Sequence, residues 1–152
     1  MEIINFKKEF VERTKDNLEE IPRITRRYEE NIFEVTLLIN SLIGLVSLPT
    51  EMTIPHDKEF KSKCVEKLKE LSVIKYYSDD EKLFRALKNA ISHMNITVVN
   101  EYRTIKSIII KDRTNASSPY HTELEFSIEN LREFALFVAD LHLQRFKWGW
   151  LI

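Results

Sequence analysis

One segment of the chain, Arg85–His93, combines residue types that could act on a phosphodiester. In a helix, Asn89 and His93 lie four residues apart and therefore project from one face. Lys88 precedes His93 by five residues, which is about 140° around a helix, and its long side chain can swing toward that face. Arg85 lies about 12 Å from His93 along the helix axis and approaches the same face from the far end.

These residues suggest a proton-transfer site with a cation beside it. A histidine titrates near neutral pH and can move protons, a cation stabilises charge that develops on a phosphate, and an asparagine can orient either partner. The two glycines of the chain cannot form a phosphate-binding loop, so no cofactor is expected. The four histidines are scattered without an i, i+4 pair: His56, His93, His121 and His142. Such a site would cut RNA without a metal, through attack by the substrate's own 2′-hydroxyl, and would spare DNA.

The same residues also have ordinary structural explanations. A histidine near a helix end is often a cap, and Asn89 can hydrogen-bond a neighbouring helix. Arg85 and Lys88 can be solvated charges on a helix face. The pattern alone therefore leaves both a chemical and a structural role open.

Length and composition favour a single domain over residues 1–152 with one hydrophobic core. The formal net charge is −1, so binding to nucleic acid requires a local basic patch. Cys64 is the only cysteine, which excludes an internal disulfide and is typical of a reducing compartment. The most apolar stretch, Val35–Leu48, is too short for a membrane span. Without a recognisable signal peptide, we expect a cytoplasmic protein that does not enter a membrane.

Hydrophobic periodicity predicts a mostly α-helical fold, a bundle of about five helices with a small β-hairpin before the C-terminal helix. Pro22 is expected to break or kink the chain after helix 1, and Pro49 to stop helix 2. The predicted helices cover residues 3–20, 23–46, 57–74, 80–94 and 128–147.

Helix 4 carries the candidate residues and has a regular apolar stripe. A residue within 78–80 is expected to cap its N-terminus, and Glu81 adds negative charge to the first turn. The stripe consists of Leu83, Phe84, Leu87, Ala90, Ile91 and Met94. Three further segments, 96–99, 105–110 and 122–126, have the β-branched or alternating pattern of strands and supply the hairpin. Ser127 is expected to cap helix 5.

The segment Phe84–His93 resembles the active-site helix of the HEPN superfamily, whose motif is an arginine, four to six residues and a histidine, often with asparagine after the arginine. The segment Glu34–Leu45, followed by Pro49, is similar to a bacterial branch of small stand-alone HEPN proteins. The β-rich insert and the start of helix 5, 129–134, are similar too. The resemblance covers about residues 31–141.

This resemblance implies a homodimer in which two copies of helix 4 form a metal-independent ribonuclease site. The resemblance also implies that the protein acts as a toxin or a phage-defence effector. Such a protein would have an antitoxin or another protein as its partner. His93 would move the proton, Asn89 would orient the reacting groups, and Lys88 or Arg85 would offset phosphate charge. Lys88 stands where the motif has arginine, and Arg85 is one residue beyond the longest form of the motif. Lysine keeps the charge but lacks the planar two-pronged grip on phosphate.

Two functions from different classes therefore remain. The first is the ribonuclease, and the second is a non-catalytic module that binds RNA, a nucleotide or a protein partner, which Lys88 favours. Dimerisation is expected in either case, since helix 2 (32–45) and the C-terminal tail (146–152) have apolar surface to cover.

Overall fold

A computed structural model describes residues 3–25, 32–52 and 58–147 of the chain. Three helices come first among the described elements, and the four strands follow after residue 72, with one helix between the first and second strands and another at the end. In chain order they are α1 (Ile3–Thr25), α2 (Ile32–Met52), α3 (Lys58–Leu71), β1 (Val73–Tyr76), α4 (Asp80–Ser92), β2 (Ile96–Glu101), β3 (Thr104–Asp112), β4 (Thr122–Ser127) and α5 (Ile128–Lys147).

The four strands form one antiparallel sheet in the order β1-β4-β3-β2. Ile108 pairs with Phe126 and Ile110 with Leu124, so these four side chains lie on one face of the sheet. All four are buried, and α4 and α5 both pack against β3. The sheet therefore presents an apolar face to the helices and a more polar face to solvent.

The mostly α-helical prediction is confirmed, but the sheet is larger than the small hairpin that was expected. The missing strand is β1, which periodicity assigned to the end of helix 3. α3 ends at Leu71, where Ser72 turns its hydroxyl back to the carbonyl of Leu68. Val73 and Ile74 then pair with β4. β-branched residues beside an open strand edge gain more from pairing than from another helical turn.

α1 continues through Pro22 to Thr25, so the predicted break is wrong. The proline removes one backbone donor and crowds one carbonyl near the end of the helix, where the loss affects few further bonds. Val11, Leu18 and Ile21 are buried along the inner side of α1. The burial of Ile21 beside the proline helps to keep this last turn helical.

α2 also continues past its proline, Pro49, to Met52, so the prediction that this proline stops the helix is wrong. A proline has no N–H to donate to the carbonyl four residues earlier, which here belongs to Leu45. The Nε2 of His142 on α5 lies 2.9 Å from that carbonyl oxygen and donates to it. A side chain 97 residues away in sequence thus replaces the missing backbone donor.

The helices enclose one cluster of buried apolar side chains. α1 packs against α2 and α5, and α2 also contacts α4. Gly44 on α2 allows the ring of Phe10 to approach, because a Cβ there would lie 2.5 Å from the ring's Cζ. No helix in the described ranges is both long and apolar enough to cross a membrane.

Candidate functional site

The N-terminus of α4 is fixed by its own first residues. Asp79 is the N-cap, and its carboxylate accepts a hydrogen bond from the backbone N–H of Lys82 at 2.9 Å. This hydrogen bond holds the pKa of Asp79 below its ordinary value. Lys69 on α3 contacts Asp80 at 2.8 Å and ties the start of α4 to its neighbour. The predicted capping segment is therefore confirmed, with Asp79 as the cap.

The C-terminus of α4 is also fixed by backbone hydrogen bonds, and His93 is the C-cap. The N–H of His93 bonds to Asn89 O at 3.0 Å, and the N–H of Asn95 bonds to Ala90 O at 2.8 Å. Met94 lies between them in the left-handed region, with φ 54°. This pattern is a Schellman motif with methionine in the position that usually holds glycine. The backbone of His93 is consequently held while its side chain is exposed.

One side of α4 packs against the body of the protein. The buried residues are Leu83, Phe84, Ala86, Leu87, Ala90 and Ile91. Met94, predicted to continue this stripe, is 59% exposed instead. The helix has already ended at Ser92, and the left-handed backbone at Met94 turns its side chain away from the helical face.

The opposite side of α4 carries all the candidate residues. Arg85 and His93 are exposed, and Lys88 and Asn89 are half-buried. By the helical period, Arg85, Asn89 and Ser92 form a line along the centre of this face, and Lys88 borders it. Within the described ranges, Arg85, Lys88, Asn89 and His93 have no side-chain hydrogen bond or ion pair.

The structure thus brings only part of the predicted set together in one copy of the chain. Asn89 and His93 are adjacent at the end of α4. Arg85 remains about 12 Å away from His93 along the helix axis, and because side chains in a helix lean toward its N-terminus, the Arg85 side chain leans away from His93. A complete site therefore needs either Lys88 or a cation from elsewhere.

The other titratable residues identified from the sequence are structural where the structure describes them. His142 is buried against the ring of Phe60, with centroids 4.8 Å apart, and burial lowers its pKa to about 4. Burial raises the pKa of Cys64 to about 12, so its thiol stays protonated. His56 and the tail residues 148–152 lie outside the described residues.

Sequence reasoning missed a cluster at the end of the sheet that contains His121. Its Nε2 lies 3.4 Å from the buried carboxylate of Asp112, and its Nδ1 lies 2.9 Å from the hydroxyl of Thr122. Lys111 and Arg113 flank Asp112 and lie over the ring of Tyr120. The sequence did contain a signal, because pairing the two predicted strands 105–110 and 122–126 brings these loop ends together.

No group of three or more potential metal ligands occurs in the part of the chain that the structure describes. The residues on the exposed face of α4 are an imidazole, an amide and cations. These groups suit proton transfer and the binding of a phosphate oxyanion.

The described fold is mostly α-helical, and α4 carries the exposed face described above. The chain matches the family model described as HEPN pEK499 p136 over residues 1–147, and it belongs to this family. The resemblance seen in the sequence is therefore confirmed, and it extends to the N-terminus. No curated protein and no solved structure matched the chain.

Proposed function

We propose that this protein is a metal-independent endoribonuclease that works as a homodimer. The observation that carries this proposal is the exposed His93 beside the half-buried Asn89, at the fixed end of a helix whose outer face also carries Arg85 and Lys88. Neither the imidazole nor the amide has a structural partner among the described residues, although each could have formed one. Polar groups left free in this way, in a HEPN-family chain, support a role in binding and chemistry.

The proposed reaction needs only groups that the chain and RNA supply. The 2′-hydroxyl oxygen attacks the adjacent phosphorus, the bond to the 5′-oxygen breaks, and the products are a 2′,3′-cyclic phosphate and a 5′-hydroxyl. His93 accepts the proton of the 2′-hydroxyl, and the leaving 5′-oxygen receives a proton from water. Lys88 offsets the charge that develops on the phosphate, and Asn89 orients the imidazole or the phosphate.

Arg85 fits this scheme if two α4 helices face each other in antiparallel directions. Asn89 is the midpoint between Arg85 and His93, so a two-fold axis beside Asn89 sets each Arg85 opposite the partner's His93. The 12 Å gap within one copy is then closed by the second copy. Leu37 on α2, which contacts α4, is 41% exposed and offers apolar area that a dimer would cover.

The direct test is cleavage of a structured RNA in the presence of EDTA. We expect the unaltered protein to cut the RNA, and His93→Ala to lose about a hundredfold or more of the rate. Lys106→Ala is the control for cleavage, because it removes an exposed charge on β3 that pairs with Glu101 at 3.6 Å and not with a residue of α4. Equal inertness of the unaltered protein and His93→Ala would refute the ribonuclease.

Lys88 supports an alternative to the ribonuclease, since lysine cannot bind a phosphate with two parallel hydrogen bonds. The alternative is a non-catalytic module that binds RNA, a nucleotide or a protein partner through the same face. We expect Lys88→Arg to raise the cleavage rate of an active enzyme severalfold, because the guanidinium contacts two oxygens at once. An unchanged or lower rate would show that Lys88 is not the phosphate-binding cation.

We further propose that RNA cleavage serves as a toxin or a phage-defence activity. Expression of the unaltered chain should then arrest the growth of a bacterial host, and expression of His93→Ala should not. Growth arrest by both would point to binding of a partner rather than cleavage. An antitoxin would be recognised as a co-expressed protein that restores growth and copurifies with the unaltered chain.

A further inference from the structure

A second cationic surface lies at one end of the sheet. β3 ends at Asp112, and Arg113 follows directly. The ring of Tyr120 lies 4.8 Å from the guanidinium carbon of Arg113 and 5.4 Å from the Nζ of Lys111. Together with Lys75 at the end of β1, these residues form what we call the sheet-end patch: Lys75, Lys111, Arg113 and Tyr120.

The sheet-end patch has a surplus of positive charge. Lys75 and Lys111 share one carboxylate, that of Glu123, at 3.8 and 3.5 Å. Arg113 has no acidic partner within the described ranges, and its guanidinium lies over the Tyr120 ring instead. The nearby Asp112 is buried and faces His121. The chain as a whole is close to neutral, and nucleic-acid binding would require a local basic patch such as this one.

The patch is a short distance from the exposed face of α4. The backbone N–H of Lys111 donates to the carbonyl of Asn95 at 3.1 Å. Asn95 follows His93 by two residues, so the Cα atoms of Lys111 and His93 are at most about 13 Å apart. Lys111 alternates with the buried Ile110 and so points to the solvent face of the sheet, and an extended strand of nucleic acid that passes around the sheet end can reach both His93 and the patch.

We propose that the sheet-end patch binds the single-stranded RNA next to the phosphate that α4 acts on. This inference rests on the proposed function for its choice of RNA. Arg113 and Lys111 hold a backbone phosphate, and a base stacks on the flat surface formed by Tyr120 and Arg113. An acidic peptide would use the positive charge alone, whereas single-stranded RNA uses both the charge and the aromatic surface. A protein partner is an outcome that the test below would reveal.

The chain offers a matched control for this patch. Tyr102 and Arg103 form the turn between β2 and β3, where both are exposed. They repeat the tyrosine–arginine chemistry at the opposite end of β3, about 30 Å away at 3.3 Å per residue. A general effect of losing one arginine or one tyrosine would appear at both ends of the strand.

The test measures the affinity of a fluorescent single-stranded RNA for the full-length chain carrying His93→Ala, which prevents cleavage during titration. We expect Arg113→Ala to weaken binding and to lower the slope of log affinity against log salt by about 0.7 for each phosphate that is no longer neutralised. Tyr120→Ala should weaken binding about fivefold or more, and Tyr120→Phe should retain it. Tyr102→Ala and Arg103→Ala should bind like the parent. Circular dichroism confirms that each variant is folded.

Equal affinity of the Arg113→Ala and Arg103→Ala variants, or no RNA binding by the parent, would overturn the patch. A chain that binds RNA through Arg113 but never cuts it would overturn the ribonuclease and leave the patch standing. DNA of the same sequence should bind through Arg113 as well, because phosphate contacts and stacking do not read the 2′-hydroxyl. If the unaltered protein binds both nucleic acids but cuts only the RNA, binding and cleavage are shown to be separate properties.

Discussion

His93 joins a fixed backbone to a free side chain. Its N–H closes the last turn of α4, and the following residues lock that turn in a Schellman motif. Its imidazole has no hydrogen-bonding partner within the described residues. A group that meets a substrate benefits from this arrangement, because its backbone is already ordered and only the side-chain rotamers remain to be fixed on binding.

The strain of this turn falls on Met94, whose φ of 54° lies in the left-handed region. A side chain there costs about 1 kcal/mol relative to glycine. We expect Met94→Gly to raise the free energy of unfolding by about 1 kcal/mol, since the exposed side chain contributes little packing. Urea denaturation measures the change.

Met94→Ala is the control for that substitution, because it removes the side chain but keeps a Cβ in the left-handed region. It should not stabilise the protein. A loss of stability in Met94→Gly would mean that the methionine side chain makes contacts that matter more than backbone strain.

At the scale of elements, α2 depends on a hydrogen bond from another helix. His142 donates to the Leu45 carbonyl that Pro49 leaves without a backbone donor. Burial holds the pKa of His142 at about 4, well below the ordinary value of 6.5, so the folded protein keeps this imidazole neutral. The unfolded chain binds a proton at this histidine between those two pH values and the folded chain does not.

The stability of the protein should therefore fall as the pH falls from about 6.5 to about 4, by roughly 3 kcal/mol from this histidine. His142→Gln keeps a donor for the Leu45 carbonyl but cannot titrate, so it should remove this part of the slope. Urea denaturation at several pH values measures it, at one protein concentration. His93→Ala is the control and should show the same dependence of stability on pH as the unaltered protein. If His142→Gln also keeps that dependence, another group causes it.

The elements of the site were predictable from the sequence because their causes are local. Asp79, the apolar stripe of α4 and the position of His93 all lie within one helix. The errors have distant causes. β1 forms because it meets β4, about fifty residues later in the chain, and α2 outlasts Pro49 because of His142. The sheet-end patch was missed for the same reason, since a loop separates Arg113 from Tyr120.

At the scale of the whole molecule, one copy of the chain leaves its candidate site incomplete. Asn89 and His93 are adjacent, but Arg85 lies at the far end of the same face. The proposed antiparallel dimer supplies the missing cation twice, once in each of two equivalent sites. Each site would then contain residues from both copies.

Complementation between two inactive variants tests this claim most directly. Arg85→Ala and His93→Ala are co-expressed with different tags. The dimers that carry both tags are purified and compared with the dimers of each variant alone. In a mixed dimer one site lacks both residues, while the other pairs an intact Arg85 with the partner's intact His93. Before the dimers are separated, random pairing makes half of them mixed, and each mixed dimer has one working site out of two. This unseparated preparation should therefore regain about a quarter of the unaltered rate. Mixed dimers as inert as both parents would contradict a site shared between two copies of α4.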